Sequence, residues 1–212
     1  MNTAYYTHNR EEVMALVKKQ PSRLLDVGCG EGRFATALHQ RYGTEAWGIE
    51  MDERAAAVAS KSLHKVLHGT FEAVSSQLPT AYFDAVFFND VLEHMVDPWQ
   101  TLRAVQPFLT PGARIYASIP NFLFAENILL LLKTKDWIYT DSGLLDRTHM
   151  RFFTRKSIVQ MFKDCGYDVQ DCVPLNAINS FKWRALTALT LGYTRDFLPM
   201  QYGIVAQVCK PA

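Results

Sequence analysis

Three glycines at alternate positions separate a short apolar run from an amphipathic helical pattern near the start of the chain. The apolar run is Arg23–Val27, the glycines are Gly28, Gly30 and Gly32, and Gly43 ends the helical pattern. Glycine accepts positive φ and has no Cβ, so such a turn can bring bare backbone against a ligand. The helix that follows offers free N–H groups and a partial positive charge to an anion. The sequence therefore predicts a strand, a ligand-binding turn and a helix, in that order.

Strand and helix patterns continue to alternate along the chain. The further predicted strands lie at 46–50, 65–68, 82–90, 110–120, 167–175 and 202–210. The further predicted helices lie at 8–19, 52–62, 96–109 and 154–166. Strands alternating with helices are typical of a parallel sheet covered on both faces. We expect one α/β domain over 1–212, interrupted by two insertions at about 121–146 and 176–201.

The charge and cysteine patterns exclude several classes of protein. The net charge is +1 with no run of Lys or Arg, which disfavours a nucleic-acid binder and favours a small-molecule partner. Widely spaced cysteines disfavour a zinc site or a disulfide framework, and a reducing cytoplasm fits them; they are Cys29, Cys165, Cys172 and Cys209. The charged N-terminal dozen residues lack the apolar core of a secretory signal. No run reaches the ~18 apolar residues of a membrane span.

An acidic residue ends the second predicted strand. Glu50 lies 20 residues beyond Gly30, where the geometry of a parallel sheet would direct its carboxylate at a ribose diol bound across the strand ends. The glycines follow the pattern GxGxG, whereas nicotinamide enzymes usually have GxGxxG. The alternative to a ligand-binding turn is a tight turn that binds no ligand. The pair of features favours a ligand that carries a nucleoside.

The segment DVGCGEG with a downstream Glu resembles motif I and its acidic partner in class I S-adenosylmethionine (SAM) dependent methyltransferases. The resemblance implies a Rossmann-like methyltransferase fold whose last strand is antiparallel, with SAM as cofactor and S-adenosylhomocysteine as product. It implies that the glycine turn holds the methionine part of SAM and that Glu50 holds its ribose. The neighbouring residues Asp26, Cys29 and Met51 are expected in the same site.

Two further segments extend this resemblance over about residues 20 to 120. Related methyltransferases usually place an Asp after the third strand to contact the adenine, but this chain has Thr70 there, followed by Phe71. Thr70 could offer its hydroxyl to the cofactor, and Phe71 a backbone N–H or an apolar face. Phe71 fits a core residue equally well. The segment FFNDVLEHMVDPW resembles the stretch after the family's fourth strand, which implies that Asn89 and Asp90 lie near the methyl donor.

His94 belongs to the same segment, and its position fits two roles. A neutral imidazole near the acceptor could remove a hydroxyl proton as the methyl group arrives, and an unperturbed pKa of ~6.5 suits that role. Alternatively, Glu93 and His94 brace the loop as helix-terminus groups. Transfer from a sulfonium mainly requires alignment of donor and acceptor, so no metal is expected.

A second histidine lies in the segment DSGLLDRTHMRFFT. This run resembles a DxxHxRFF-type pattern in small bacterial methyltransferases related to ubiquinone-pathway O-methyltransferases and to enzymes of glycan assembly. The resemblance implies that His149 is an acceptor-side base and that Arg151 clamps a carboxylate, phosphate or sugar hydroxyl. The alternative is a structural ion pair between Arg151 and Asp146, with the two phenylalanines in the core.

Both insertions are rich in apolar residues. The first contains four consecutive leucines, and the second mixes aromatic residues with Lys182, Arg184 and Arg195. Helical spacing favours core packing or a homodimer contact over a lid or a membrane-surface patch. The cationic balance of 133–212, with 11 basic and 7 acidic residues, keeps the membrane option open.

The sequence therefore predicts a SAM-dependent methyltransferase that acts on a hydroxyl of a small or lipid-linked acceptor. A non-catalytic SAM-binding module that serves a protein partner is the main alternative. A nicotinamide-dependent reductase is the third.

Overall fold

The computed structural model describes residues 10–209, and a seven-stranded sheet forms its centre. The strands are β1 (Arg23–Val27), β2 (Glu45–Glu50), β3 (Lys65–His68), β4 (Phe83–Asn89), β5 (Leu109–Pro120), β6 (Tyr167–Ala177) and β7 (Pro199–Val208). Their order is β3-β2-β1-β4-β5-β7-β6, and among them β7 alone runs in the direction opposite to the other six. The predicted doubly wound, mostly parallel sheet with an antiparallel last strand is confirmed.

The helices begin and end largely where the sequence signals place them. They are α1 (Glu11–Met14), α2 (Arg33–Tyr42), α3 (Glu53–Ala59), α4 (Phe71–Val74), α5 (Pro98–Ala104), α6 (Ala125–Thr134), α7 (Arg155–Asp164) and α8 (Phe181–Leu189). Asp52 caps α3 by accepting a hydrogen bond from the Ala55 N–H, and Thr154 forms a capping box with Ser157 on α7. Gly43 ends α2 with a φ of 69°.

The leading helix is shorter than the predicted 8–19, of which residues 8 and 9 lie outside the described residues. It ends at Met14, after which the hydrogen bonds tighten to the i−3 pattern, from Leu16 N to Val13 O and from Val17 N to Met14 O. Both Val13 and Val17 are buried, so the tighter turns keep the apolar residues against the core. Packing overrides helical propensity here.

The core lies on both faces of the sheet, as a doubly wound fold requires. Successive residues of β4 alternate between two buried clusters: Phe88 joins one, while Phe87 joins the other and stacks on Tyr116 at 4.7 Å between ring centroids. A strand that is buried on both faces reads as a continuous apolar run, which is why this strand was visible in the sequence.

The two insertions do not belong to this core. Helix α6 buries only Ala125, and α8 buries none of its residues. Of the two expected arrangements, core packing is wrong for α6 and α8, because spacing alone does not show which side of a helix meets the protein. The homodimer contact stays a prediction. Within residues 10–209, no helix is long and apolar enough to cross a bilayer.

Candidate functional site

The glycine turn lies at the carboxyl ends of the parallel strands. Gly28, Gly30 and Gly32 have φ values of 72°, 56° and 78°, all in the left-handed region. The backbone N–H of Gly28 donates to the carbonyl of Ile49 at 2.8 Å, which ties the turn to β2. A Cβ on Gly28 would lie 2.5 Å from Cγ2 of Val91, in the loop that follows β4. The turn is therefore held between β2 and the β4 loop.

Glu50, at the end of β2, connects the turn to the start of α3. Its Oε2 accepts a hydrogen bond from the Gly30 N–H at 2.8 Å, and its Oε1 accepts one from the Asp52 N–H at 2.9 Å. The side chain is buried at 7% exposure, yet each carboxylate oxygen keeps further acceptor capacity. A carboxylate in this position can accept hydrogen bonds from a diol.

A second acidic residue is buried beneath the turn. Burial raises the pKa of Asp26 to about 7, Glu50 adds to the rise, and the positive charge of Arg10 and a hydrogen bond from Asn89 oppose it. Asn89 donates from Nδ2 to Asp26 Oδ1 at 3.5 Å, while its own Oδ1 is buried without a partner among the described residues. An unpartnered buried acceptor of this kind can receive a hydrogen bond from a water molecule or from a bound ligand.

Asp90 ties three segments together at the end of β4. It adopts a φ of 52° and accepts hydrogen bonds from Ser118 Oγ at 2.7 Å and from Gln201 Nε2 at 3.0 Å. It also forms an ion pair with Arg10, which reaches the site from the N-terminal segment. Sequence reasoning missed Arg10, because an isolated Arg far from any motif carries no signal.

The remaining predicted cofactor residues differ in accessibility. Met51 is 71% exposed beside Glu50, and Thr70 is exposed at the start of α4 without a side-chain capping bond. The ring of Phe71 is buried edge-to-face against Phe108, as the core reading expected. Burial raises the pKa of the Cys29 thiol, which packs toward β2.

The two histidines that were predicted for the acceptor side lie in contact with each other. The rings of His94 and His149 lie 4.6 Å apart in an edge-to-face arrangement, although 55 positions separate them in the chain. Thr148 connects His94 to Asp146, since its hydroxyl lies 3.0 Å from His94 Nδ1 and donates to Asp146 at 2.7 Å. His149 Nδ1 lies 3.3 Å from the carbonyl of Leu144.

Glu93 lies beside these rings and is almost completely buried. One ligand atom each from Glu93, His94 and His149 lie within 4.8 Å of one another, and neither carboxyl oxygen of Glu93 has a hydrogen-bond partner among the described residues. The backbone carbonyl of Glu93 accepts hydrogen bonds from Met150 N and Arg151 N, so the bracing role is also present. The side chains form a donor set that suits a proton relay or a divalent cation.

Burial controls the protonation of this cluster. Burial, together with the nearby His94, lowers the pKa of His149, whereas burial and the charge of Asp90 raise the pKa of Glu93 well above its usual value. Burial would raise the pKa of Asp146, but hydrogen bonds from Thr148 outweigh it and the pKa is lowered. His149 is therefore a neutral imidazole near pH 7, which is the form that accepts a proton.

The ion pair between Arg151 and Asp146, which was the alternative to the clamp role, is absent from the described residues. Arg151 donates from Nε to the carbonyl of Val96 at 3.1 Å, because its backbone follows the Glu93 loop. Phe153 is in the core, but Phe152 is 47% exposed and packs against Phe122 and the Trp137 ring. The alternative that placed both phenylalanines in the core is wrong for Phe152.

The fold and this site define the chain as a SAM-dependent methyltransferase of the Rossmann-like class. The family model described as "Methyltransferase domain" matches residues 2–171, and the chain belongs to that family. This excludes the nicotinamide-dependent reductase.

Curated relatives are similar over most of the chain. A "Ubiquinone biosynthesis O-methyltransferase" of Pseudomonas paraeruginosa is 34% identical over 72% of this chain and 67% of its own length. One of the same name from Aeromonas salmonicida is 29% identical over 85% of this chain and 78% of its own length.

A solved SAM-dependent methyltransferase of Archaeoglobus fulgidus has the same fold, with a TM-score of 0.66 and 20% identity over 95% of this chain and 96% of its own.

Proposed function

We propose that this enzyme transfers the methyl group of SAM to a hydroxyl oxygen of a small or lipid-linked acceptor. One observation carries the proposal: the glycine turn with Glu50 and the pair His94 and His149 lie at the same edge of the sheet. The relatives named as O-methyltransferases support oxygen as the acceptor atom.

The cofactor side offers what SAM requires. The left-handed glycine turn exposes backbone to the methionine part, and Glu50 accepts hydrogen bonds from the ribose hydroxyls. Asn89 Oδ1, buried and unpartnered, is a suitable acceptor for a donor group of the ligand. The further contacts that we assign to the cofactor come from Asp26, Gly28, Cys29, Gly30, Gly32, Met51, Thr70, Phe71 and Asp90.

The acceptor side supplies a base. SAM brings an activated methyl group, so the protein mainly has to align the acceptor, exclude water and remove one proton. We assign the proton to His149, whose lowered pKa keeps it neutral, with His94 beside it. The side chain of Arg151 is exposed to solvent, two residues after His149, where it can contact a polar group of the acceptor.

The acceptor is a hydroxylated metabolite of the kind that quinone synthesis uses. The names of the relatives and the exposed aromatic group around Trp137 support a ring-bearing or lipid-linked acceptor. Balanced charge argues against nucleic acid as substrate.

The experiment follows radiolabelled methyl from SAM into three acceptors: a phenolic quinone precursor, the same phenol with a short isoprenoid tail, and a sugar. H149A and H94A should bind SAM within about twofold of wild type but lose turnover by about 10²–10⁴-fold. H64A is the matched control, because His64 is exposed at the amino edge of the sheet, 3.7 Å from Glu45, and should keep full turnover.

Wild-type turnover in both H149A and H94A would remove the base from the mechanism. If EDTA abolishes transfer and a divalent cation restores it, the cluster with Glu93 acts by binding a cation instead. No transfer to any hydroxyl acceptor, with intact SAM binding, would support the non-catalytic module.

A further inference from the structure

The segment 178–198, between β6 and β7, presents an apolar surface that nothing in the described chain covers. It consists of α8 and a 3-10 helix at Tyr193–Phe197. Phe181, Leu189, Leu191 and Tyr193 are 85%, 81%, 97% and 81% exposed. Large apolar side chains exposed together at this level mark an interaction surface.

This exposure does not come from a loose loop. The Ile178 N–H donates to the carbonyl of Leu198 at 3.0 Å and closes the base of the segment. Inside it, the hydroxyls of Thr187 and Thr190 each lie 3.1 Å from that of Thr194. The segment is therefore held in a defined conformation by its own hydrogen bonds, and we call it the β6–β7 excursion.

The most exposed of these four apolar residues also adopts an uncommon backbone conformation. Leu191 has a φ of 49°, in the left-handed region, and its side chain projects from the turn after α8. A bulky non-glycine residue in this region of backbone conformation destabilises the folded protein. Such conformations occur mainly where they serve a function. The turn holds an aliphatic side chain at the tip of the excursion, in contact with solvent.

Basic residues flank the apolar ones. At 100° per residue, Phe181, Ala188 and Leu189 cover about 100° of the surface of α8, and Lys182 and Arg184 border that arc on either side. Lys182, Arg184 and Arg195 are exposed, and no ion pair within residues 10–209 includes any of them.

The acidic residues of the excursion do not balance this charge. Asp196 is the single acidic residue in 176–201, and its carboxylate accepts a hydrogen bond from the Tyr202 hydroxyl at 3.0 Å. The excursion therefore combines a net positive charge with exposed apolar side chains.

We propose that the β6–β7 excursion docks on an anionic lipid surface. Exposed apolar residues flanked by cations suit the boundary between headgroups and acyl chains. A symmetric contact between two copies would bring equal positive surfaces together, which disfavours a second copy as the occupant. Membrane docking is independent of methyl transfer.

The β6–β7 excursion lies at the edge of the sheet that carries the candidate site, so membrane docking there could serve substrate delivery. Because β6 runs in the same direction as β1 and β5, the excursion leaves the sheet at the edge that carries the site. Asn121, at the start of the other insertion, donates to the carbonyls of Asp196 and Pro199, both at 2.8 Å. A docked enzyme could receive a lipid-linked acceptor at this edge, a role that rests on the proposed function.

The experiment measures co-sedimentation of the full chain with vesicles of phosphatidylcholine alone and of phosphatidylcholine with phosphatidylglycerol at 3:1. Wild type should bind the anionic vesicles more tightly than the neutral ones, and 0.5 M salt should weaken that binding. An apolar variant with F181S, L189S and L191S should bind the anionic vesicles at least about tenfold more weakly.

A charge variant keeps the apolar surface intact. K182Q, R184Q and R195Q together should weaken binding to anionic vesicles about a hundredfold, from about fivefold per residue. The matched control carries V58S, R54Q and K61Q, on and just after α3 at the opposite end of the sheet, and should bind as wild type does.

Wild-type binding by both excursion variants would overturn the proposal, as would a failure of wild type to bind anionic vesicles. The same holds if sedimentation shows a dimer that the apolar variant dissolves while no vesicles are bound, since the surface would then serve a second copy. Unchanged SAM affinity in each variant shows that it is folded and separates this outcome from a failure of the proposed function.

Discussion

Glu50 provides the sharpest perturbation, because its carboxylate has one task that the structure shows and a second that we propose. It accepts two backbone N–H bonds from Gly30 and Asp52, and in the proposed complex it also accepts the ribose hydroxyls. E50A removes the acceptor of both N–H groups as well as the proposed ribose contact, so it should cost stability as well as SAM affinity.

The magnitudes of the two tasks can be separated. A hydrogen bond to a charged group contributes about 1.5–3 kcal/mol, and water at the open edge of the sheet replaces part of it when the side chain is removed. We expect E50A to lower the free energy of unfolding by about 2–3 kcal/mol. E50Q keeps one carbonyl acceptor and should lower it by about half as much. On binding, loss of one charged hydrogen bond to the ribose corresponds to a rise of about 13- to 160-fold in the Kd for SAM.

The assay combines urea unfolding with calorimetric titration of SAM at a temperature where every variant is folded. E45Q is the matched control, since Glu45 begins the same strand and accepts hydrogen bonds from Trp47 and Tyr82 at the opposite edge. E45Q should lose stability and keep wild-type SAM affinity. If E50A and E50Q also bind SAM as wild type does, the ribose assignment is refuted.

Three further predictions follow from particular groups. G28A should lower the free energy of unfolding by about 2–4 kcal/mol, through its φ and its overlap with Val91, and adding V91A should restore part of the loss; no restoration in urea unfolding would contradict the packing argument. The pKa of Asp26 is about 7 in the folded protein and lower in the unfolded chain, so between these values only the folded protein binds the proton. The free energy of unfolding should therefore rise by about 2–3 kcal/mol from pH 8 to pH 5. D26N should lack this pH dependence, and an equal dependence in D26N would refute the assignment. Because burial lowers the pKa of His149, the acid limb of turnover should lie below the range of an ordinary histidine. An unchanged acid limb in H149A would assign that limb to another group.

The sheet was largely predictable because its central strands are buried on both faces. β1 and β3 begin and end at the predicted residues, and Asp52, Thr154 and Gly43 end or begin their helices as capping chemistry requires. These signals are local, so the sequence displays them directly.

The acceptor side was only partly predictable. The resemblance implied roles for both His94 and His149 there, but their contact and the burial of Glu93 depend on how a loop after β4 meets a segment beyond β5. Glu93 looks like a surface residue in the sequence, because a charge carries no sign of its own burial.

The solvent exposure of α6 and α8 in the two insertions could not be predicted from the sequence either. The spacing of apolar residues in α6 and α8 is the same whether a helix faces the core, a partner or a lipid surface. Arg10 was missed for a related reason: its place beside Asp90 follows from the path of the N-terminal segment and from no motif.

A crystal structure with S-adenosylhomocysteine tests the central claim most directly. The account predicts both ribose hydroxyls at about 2.5–3.0 Å from the oxygens of Glu50, the amino-acid part against the Gly28–Gly32 backbone, and the sulfur directed toward the His94 and His149 pair. A ribose bound away from Glu50, or a sulfur directed away from the histidines, would contradict it.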